Sequence, residues 1–387
     1  MKNFNENNTV NNPRSLLYGF SIFSMFFGSG NLVFPLMIGV ENPNHWLMAF
    51  IGFFTTGILL PFLGLFVIKL YKGSYINFFA EAGVLARLAI PFFTLSLLGP
   101  FGVIPRCITV AHGGLEFLNF NIPLSLFSLI FCIICYISCQ NNERMFNVLG
   151  KILTPFLLIC LILLFVAGYA SSEKIIIPEN TYSSFKKGFM KGYITMDLFA
   201  SFFFSSLIFK RIESLTSKCQ SESEMLLAAL KPSLIGAAIL GFVYFGFVFL
   251  GAHYQFLAPK LTSEHILPAI SKHLFGVAGS FVIAIIMLLS CLTTSVALSG
   301  IYVNYLKSLK IFNNQSYNII LITTTFISFL ISLLDFEGIL MWLTPLLDIS
   351  YPGLITLTIM CLLTRKKRIM KTVFFYSVII ITALFIF

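Results

Sequence analysis

Residues 274–303 run without a single aspartate, glutamate, lysine or arginine, and ten further predominantly apolar runs accompany them along the chain. They lie near 15–38, 46–68, 88–111, 122–139, 152–170, 188–209, 229–252, 316–334, 339–363 and 372–387. A bilayer-crossing helix needs about 20 such residues. The runs are continuous, whereas the strands of a membrane β-barrel alternate in polarity. Only 10% of the 387 residues are charged and 58% are hydrophobic, against roughly 25% charged in a soluble domain. A soluble enzyme is excluded. The expected class is an all-α polytopic membrane protein with about 11–12 transmembrane helices.

The formal charge of +10 would suggest a nucleic-acid partner in a soluble chain. Here its distribution matters more. With the N-terminal tail set inside, the loops on that side carry 18 basic residues. The opposite loops and adjoining helix ends carry six: Lys174, Lys186, Lys187, Lys191, Lys260 and Lys272. Arg106 falls within a span. This bias predicts a cytoplasmic N-terminus and no nucleic-acid partner. Residues 1–12 hold six asparagines and read as a disordered tail. The first span exceeds the 7–15 apolar residues of a secretory signal and reads as a retained helix. All eight cysteines sit almost wholly in apolar spans. Cys132, Cys135 and Cys139 share one helix and could hold a metal, although buried filler is the plainer reading.

The loops are too short for a second domain, and no G-x-x-x-x-G-K-[ST] is present, so no ATPase subunit is implied. The expected organisation is a tail over 1–14 and one transmembrane domain over 15–387. Within it a first repeat covers about 15–170, a second about 188–363, and an extra helix 372–387.

Three spans are punctuated by polar residues. In the first, Gly28-Ser29-Gly30 favours local unwinding and Asn31 offers an amide to cap a second half-helix. Unwound backbone in a bilayer requires burial in protein or a cavity to line. Ordinary helix packing through Ser24-x3-Gly28 accounts for the same residues. In the sixth span, Gly188 and Gly192 precede Tyr193-Ile194-Thr195-Met196-Asp197. A carboxylate there is a functional candidate by default, or half of an ion pair with Arg106. From Gly19 to Gly192 is an offset of five spans, the pattern of an inverted repeat with a binding site at its middle. In the eighth span, Ser290 and Thr293-Thr294-Ser295 offer neutral oxygens to a monovalent cation, or bond back to their own helix.

This ordered set resembles the bacterial branched-chain amino acid:cation symporters, the BrnQ-type or system II carriers. The resembling residues are Gly19-Phe20, Phe26 to Asn31, Phe34-Pro35, Gly99-Pro100, Pro105-Arg106, Gly188 to Asp197, Cys291 to Ser295 and Tyr351-Pro352. The resemblance implies a LeuT-like bundle of two inverted five-helix repeats with helices 1 and 6 broken. It implies substrate binding at Gly28, Ser29, Gly30, Asn31, Tyr193, Ile194, Thr195 and Asp197. It also implies a sodium site from the carbonyls of Ser24, Phe27 and Ser290 with the hydroxyls of Thr293 and Thr294. Span 152–170 lacks the helix-5 lysine that replaces the cation in sodium-independent relatives of the fold.

The implied function is import of leucine, isoleucine and valine with Na+ as coupling ion, without an organic cofactor, in the bacterial inner (plasma) membrane. Freed carbonyls would meet the substrate's ammonium, and the N-terminus of the half-helix at Asn31 its carboxylate, with no arginine required. Another amino acid, or proton coupling through Asp197, is the alternative. An embedded enzyme would need clustered nucleophiles, bases or metal ligands. The five histidines fall in or near loops at no metal-ligand spacing, so no catalytic residue is expected.

Overall fold

The computed structural model describes residues 13–140, 154–171, 181–215, 222–309, 311–312, 314–364 and 367–386. The tail, Cys219 and the basic residues Lys2, Arg144, Lys151, Lys174, Lys218, Lys310, Arg365 and Lys366 lie outside the described residues. The described chain is helical throughout: α1 (Pro13–Phe26), α2 (Ser29–Glu41), α3 (Trp46–Leu70), α4 (Tyr75–Ala80), α5 (Val84–Leu98), α6 (Val103–Glu116), α7 (Leu124–Cys139) and α8 (Thr154–Ala170). There follow α9 (Thr181–Ile194), α10 (Asp197–Leu215), α11 (Glu222–His253), α12 (Ile266–Ser308), α13 (Tyr317–Ser332), α14 (Asp335–Leu363) and α15 (Arg368–Ile386).

Six helices among the described residues are long and apolar enough to cross a membrane, and the pair α1/α2, bent by 71°, makes a seventh. Shorter apolar helices over Leu124–Cys139, Thr154–Ala170, Asp197–Ile208 and Tyr317–Ser332 account for the other expected crossings. Helices α5 and α6 share one crossing, Val84–Glu116, and α9 runs to within two residues of α10. Four crossings lie between the break at α1/α2 and the break at α9/α10, an offset of five, so a second set of five starts inverted relative to the first.

Glycine sets the distance between several of these helices. A Cβ on Gly188 of α9 would lie 2.0 Å from the Ala49 carbonyl oxygen of α3, and one on Gly52 would lie 2.2 Å from that of Phe185. Helices without a hydrophobic driving force between them rely on such close backbone approach. The contact is reciprocal, so neither side can yield without separating the pair. Gly188→Val is expected to destabilise the protein by about 1–3 kcal/mol, the usual cost of overpacking. A thermal melt of the purified variant that matched wild type would show that the pair tolerates separation.

The seven described cysteines are unpaired and, except for the half-buried Cys160, buried. No group of three or more metal-ligating side chains occurs among the described residues. Cys132 donates to the Thr325 carbonyl and Cys139 to that of Val296, at 3.4 and 3.7 Å. These thiols join α7 to its neighbours.

Candidate functional site

The two helix breaks meet. At the first, α1 ends on Phe26 and α2 begins on Ser29, with Gly28 extended between them (φ −118°, ψ −156°). Asn31 accepts a 3.1 Å bond from the Gly28 N–H through Oδ1, which caps α2 from within. A side chain on Gly28 would collide with Thr294 of α12, since its Cβ would lie 2.9 Å from Cγ2. At the second break, α9 ends at Ile194 and α10 begins at Asp197. Met196 holds a left-handed backbone (φ 63°) without being glycine. Such strain persists only where surrounding contacts impose it.

Asn31 and Asp197 tie the breaks together. The Asn31 amide donates to Asp197 Oδ2 at 2.9 Å and also bonds the hydroxyl of Tyr244 on α11. Tyr244 donates to the same carboxylate oxygen at 2.7 Å. All three side chains are buried. This triangle links three helices from distant parts of the chain. Tyr244 was not among the residues singled out from sequence, and its only signal was a hydroxyl in an apolar run.

Gly28, Ser29, Gly30, Asn31, Thr195, Asp197 and Thr294 line one small cavity, closed further by Met25, Phe26, Met196, Ala200 and Phe204. Its volume is about 10 Å³, room for roughly one water molecule. The helices leave no room there for an amino acid. Tyr193 and Ile194 do not line the cavity. Tyr193 stacks on Tyr351, with ring centroids 4.8 Å apart, and the Ile194 carbonyl accepts a 2.7 Å bond from Arg106. Tyr351 in turn accepts from the Leu198 N–H at 3.3 Å, meeting one free donor at the start of α10.

Beside the cavity, oxygens from α1 and α12 converge. The Phe27 carbonyl accepts from Ser290 Oγ and, at 3.3 Å, from Thr294 Oγ1. Thr293 lies on the same stretch but bonds back to the Ser290 carbonyl at 2.7 Å. The Ser24 hydroxyl turns to the Ser21 carbonyl, 3.1 Å away. The structure thus brings Phe27, Ser290 and Thr294 into mutual contact and leaves the hydroxyls of Thr293 and Ser24 on local partners.

Arg106 and Asp197 make no direct ion pair among the described residues, although their charges attract. Arg106 is fully buried, gives Nη1 to the Ile194 carbonyl, and lies 5.5 Å from the centroid of the Phe34 ring. Two of the histidines meet in the fold: His112 and His265 both approach Glu116, at 3.7 and 3.4 Å. A larger cavity of about 250 Å³, between Arg87, Tyr305 and Leu309 among others, lies away from both breaks.

A family profile described as branched-chain amino acid transport protein matches residues 11–387. The chain belongs to that family. A relative from Staphylococcus haemolyticus is 30% identical over 92% of the chain and 83% of its own length. Another from Staphylococcus saprophyticus is 29% identical over 92% and 83%. Both bear names that assign them provisionally as branched-chain amino acid carrier proteins. The carrier's fold is LeuT-like. It aligns with MhsT in complex with L-phenylalanine at a TM-score of 0.60 and 16% identity, covering 95% of this chain and 96% of that one. It also aligns with Mhp1, a nucleobase-cation-symport-1 family transporter, at 0.61 and 14%, covering 88% and 77%. At these identities the likeness establishes fold. Together with its apolar helices, the family makes the carrier a multi-pass bacterial membrane transporter.

Proposed function

We propose that the carrier is a secondary active symporter that imports leucine, isoleucine and valine together with Na+, by alternating access, with its N-terminus in the cytoplasm. The observation that carries this reading is the meeting of two broken helices at Asn31 and Asp197, beside the converging oxygens of Phe27, Ser290 and Thr294. A zwitterion entering a bilayer needs both charges met, because an unpaired charge there costs several kcal/mol. Asp197 and the carbonyls freed near Ser29, Gly30 and Thr195 suit the ammonium. The N-terminus of α2 suits the carboxylate. Sodium, which takes hard neutral oxygens, suits the Phe27 carbonyl with the Ser290 and Thr294 hydroxyls. In this reading Thr293 and the carbonyls of Ser24 and Ser290 complete the shell once the ion draws them in.

The side chain would lie among Met25, Phe26, Ala200 and Phe204, all apolar. One methylene in such surroundings is worth only about 1–3 kcal/mol. Excess isoleucine or valine is therefore expected to suppress uptake of labelled leucine. Leucine uptake that ignores both would remove the substrate assignment. The direct test is leucine uptake in proteoliposomes with an inward sodium gradient. Abolition on replacing sodium by choline supports the coupling ion; persistence in choline driven by a proton gradient would instead assign the coupling to a proton, with Asp197 as the buried carboxyl that takes it up.

A further inference from the structure

Arg106 is a buried cation at the helix breaks to which sodium and the substrate's ammonium assign no role. It sits on α6 directly before Cys107, whose thiol reaches the Ser29 hydroxyl at 3.5 Å, and it lies behind the residues that line the cavity at the breaks. Its side chain is fully buried. One nitrogen, Nη1, is held by the Ile194 carbonyl at the end of α9. The ring of Phe34 supports the guanidinium, and that same ring closes against Gly30, where a Cβ would lie 3.3 Å from Phe34 Cε2. The remaining donors, Nε and Nη2, are buried without a hydrogen-bond partner. No acidic side chain forms an ion pair with Arg106 among the described residues.

A guanidinium held in the membrane core is costly unless its N–H groups and its charge are met; the Asp197 carboxylate attracts it without touching it, and the two buried donors still lack an acceptor. The two unpartnered nitrogens form one edge of the planar fork, the arrangement that receives both oxygens of a carboxylate. Nη1 fixes the plane of that fork by its bond to one broken helix, and Phe34 fixes it from the other. Backbone N–H groups at a helix terminus would supply only partial charge to the same anion.

We infer that Arg106 is the carboxylate receptor of the substrate site, with Nε and Nη2 engaging the two oxygens of the bound amino acid. This rests on the amino-acid reading above and replaces its assignment of the carboxylate to α2 alone. It also gives the carrier a reason to close: a carboxylate bridging Arg106 and the N-terminus of α2 draws α6, α2 and the end of α9 together.

The test compares leucine with leucinamide, which keeps the ammonium and side chain but carries no anion. Binding to the purified full-length carrier is read by ligand-induced thermal shift, and uptake is read in proteoliposomes. Wild type is expected to bind leucine at least tenfold more tightly than leucinamide. Arg106→Gln is expected to weaken leucine binding by about 100-fold, the loss of two charge-assisted bonds, and to leave leucinamide unchanged or tighter. Arg106→Lys is expected to fall between, and carries the comparison if the glutamine variant does not fold. Equal weakening of leucine and leucinamide in the variants would mark Arg106 as a structural support and overturn the inference. Leucine binding within threefold of wild type in Arg106→Gln would overturn it too. Either result leaves the transport reading standing, whereas a wild-type protein that binds none of the three branched-chain amino acids overturns both.

Discussion

Asp197→Asn is expected to reduce leucine uptake by two orders of magnitude or more while leaving the protein folded. The reason lies in how the carboxylate is held. Asn31 and Tyr244 both donate to Oδ2, and an amide oxygen placed there can accept both bonds. The link between α2, α10 and α11 survives the substitution, but the negative charge at the cavity wall does not. A substrate ammonium then loses its counter-ion in a medium where an unmet charge costs several kcal/mol, and 1.4 kcal/mol is already a factor of ten in affinity. Tyr244→Phe provides the contrast. It removes one donor and leaves the charge, so it is expected to cost about 1–3 kcal/mol of stability or affinity, with transport retained. Proteoliposome uptake together with a thermal melt of each variant separates the two. An Asp197→Asn protein that transports leucine like wild type would show that the carboxylate serves only to join helices.

The second large effect is expected at the α1–α12 junction. Ser290 and Thr294 are the two hydroxyls that converge on the Phe27 carbonyl. The double variant Ser290→Ala, Thr294→Val keeps nearly the same volume and removes both oxygens. The sodium concentration for half-maximal uptake is expected to rise by tenfold or more, while uptake at saturating sodium recovers part of its rate. Thr293→Ala, whose hydroxyl bonds within its own helix, is expected to shift that concentration less. Unchanged sodium dependence in the double variant would move the coupling ion elsewhere. A stricter version is Gly28→Val, which drives a side chain into Thr294 and is expected to abolish uptake altogether.

The crossings were legible in the sequence because each is a local property: enough consecutive apolar residues, with charge left at the ends. The first helix break was legible for the same reason. Gly28, Ser29, Gly30 and Asn31 are adjacent, and Asn31 caps the helix it begins. The second was legible only in outline. Gly188 and Gly192 drew attention, yet they serve to pack α9 against α3, where a Cβ on Gly192 would meet Thr56. The break itself falls at Thr195 and Met196, and nothing in a methionine announces a left-handed backbone. Tyr244 and the surroundings of Arg106 were not legible, since each depends on which faces of distant helices meet. Arg106 and Asp197 looked like partners because they were the conspicuous charges within spans, but each is bound to other groups. The last residue of α2 and the last turn of α9, by contrast, are joined through Glu41 and Lys191 at 2.8 Å, a pair that only the fold brings together.

The size of the cavity bears on affinity as much as on access. A protein whose site is too small for its ligand binds from the minority of molecules that have widened it, so its apparent dissociation constant is the intrinsic one divided by that minority's share. Loosening a contact that holds the site narrow raises the share. Glu41→Gln, which removes the charge that joins α2 to α9, is then expected to bind leucine more tightly than wild type. Its turnover would fall if closure limits the cycle. Affinity and speed in this carrier are thus set partly by how reluctantly two short helices part.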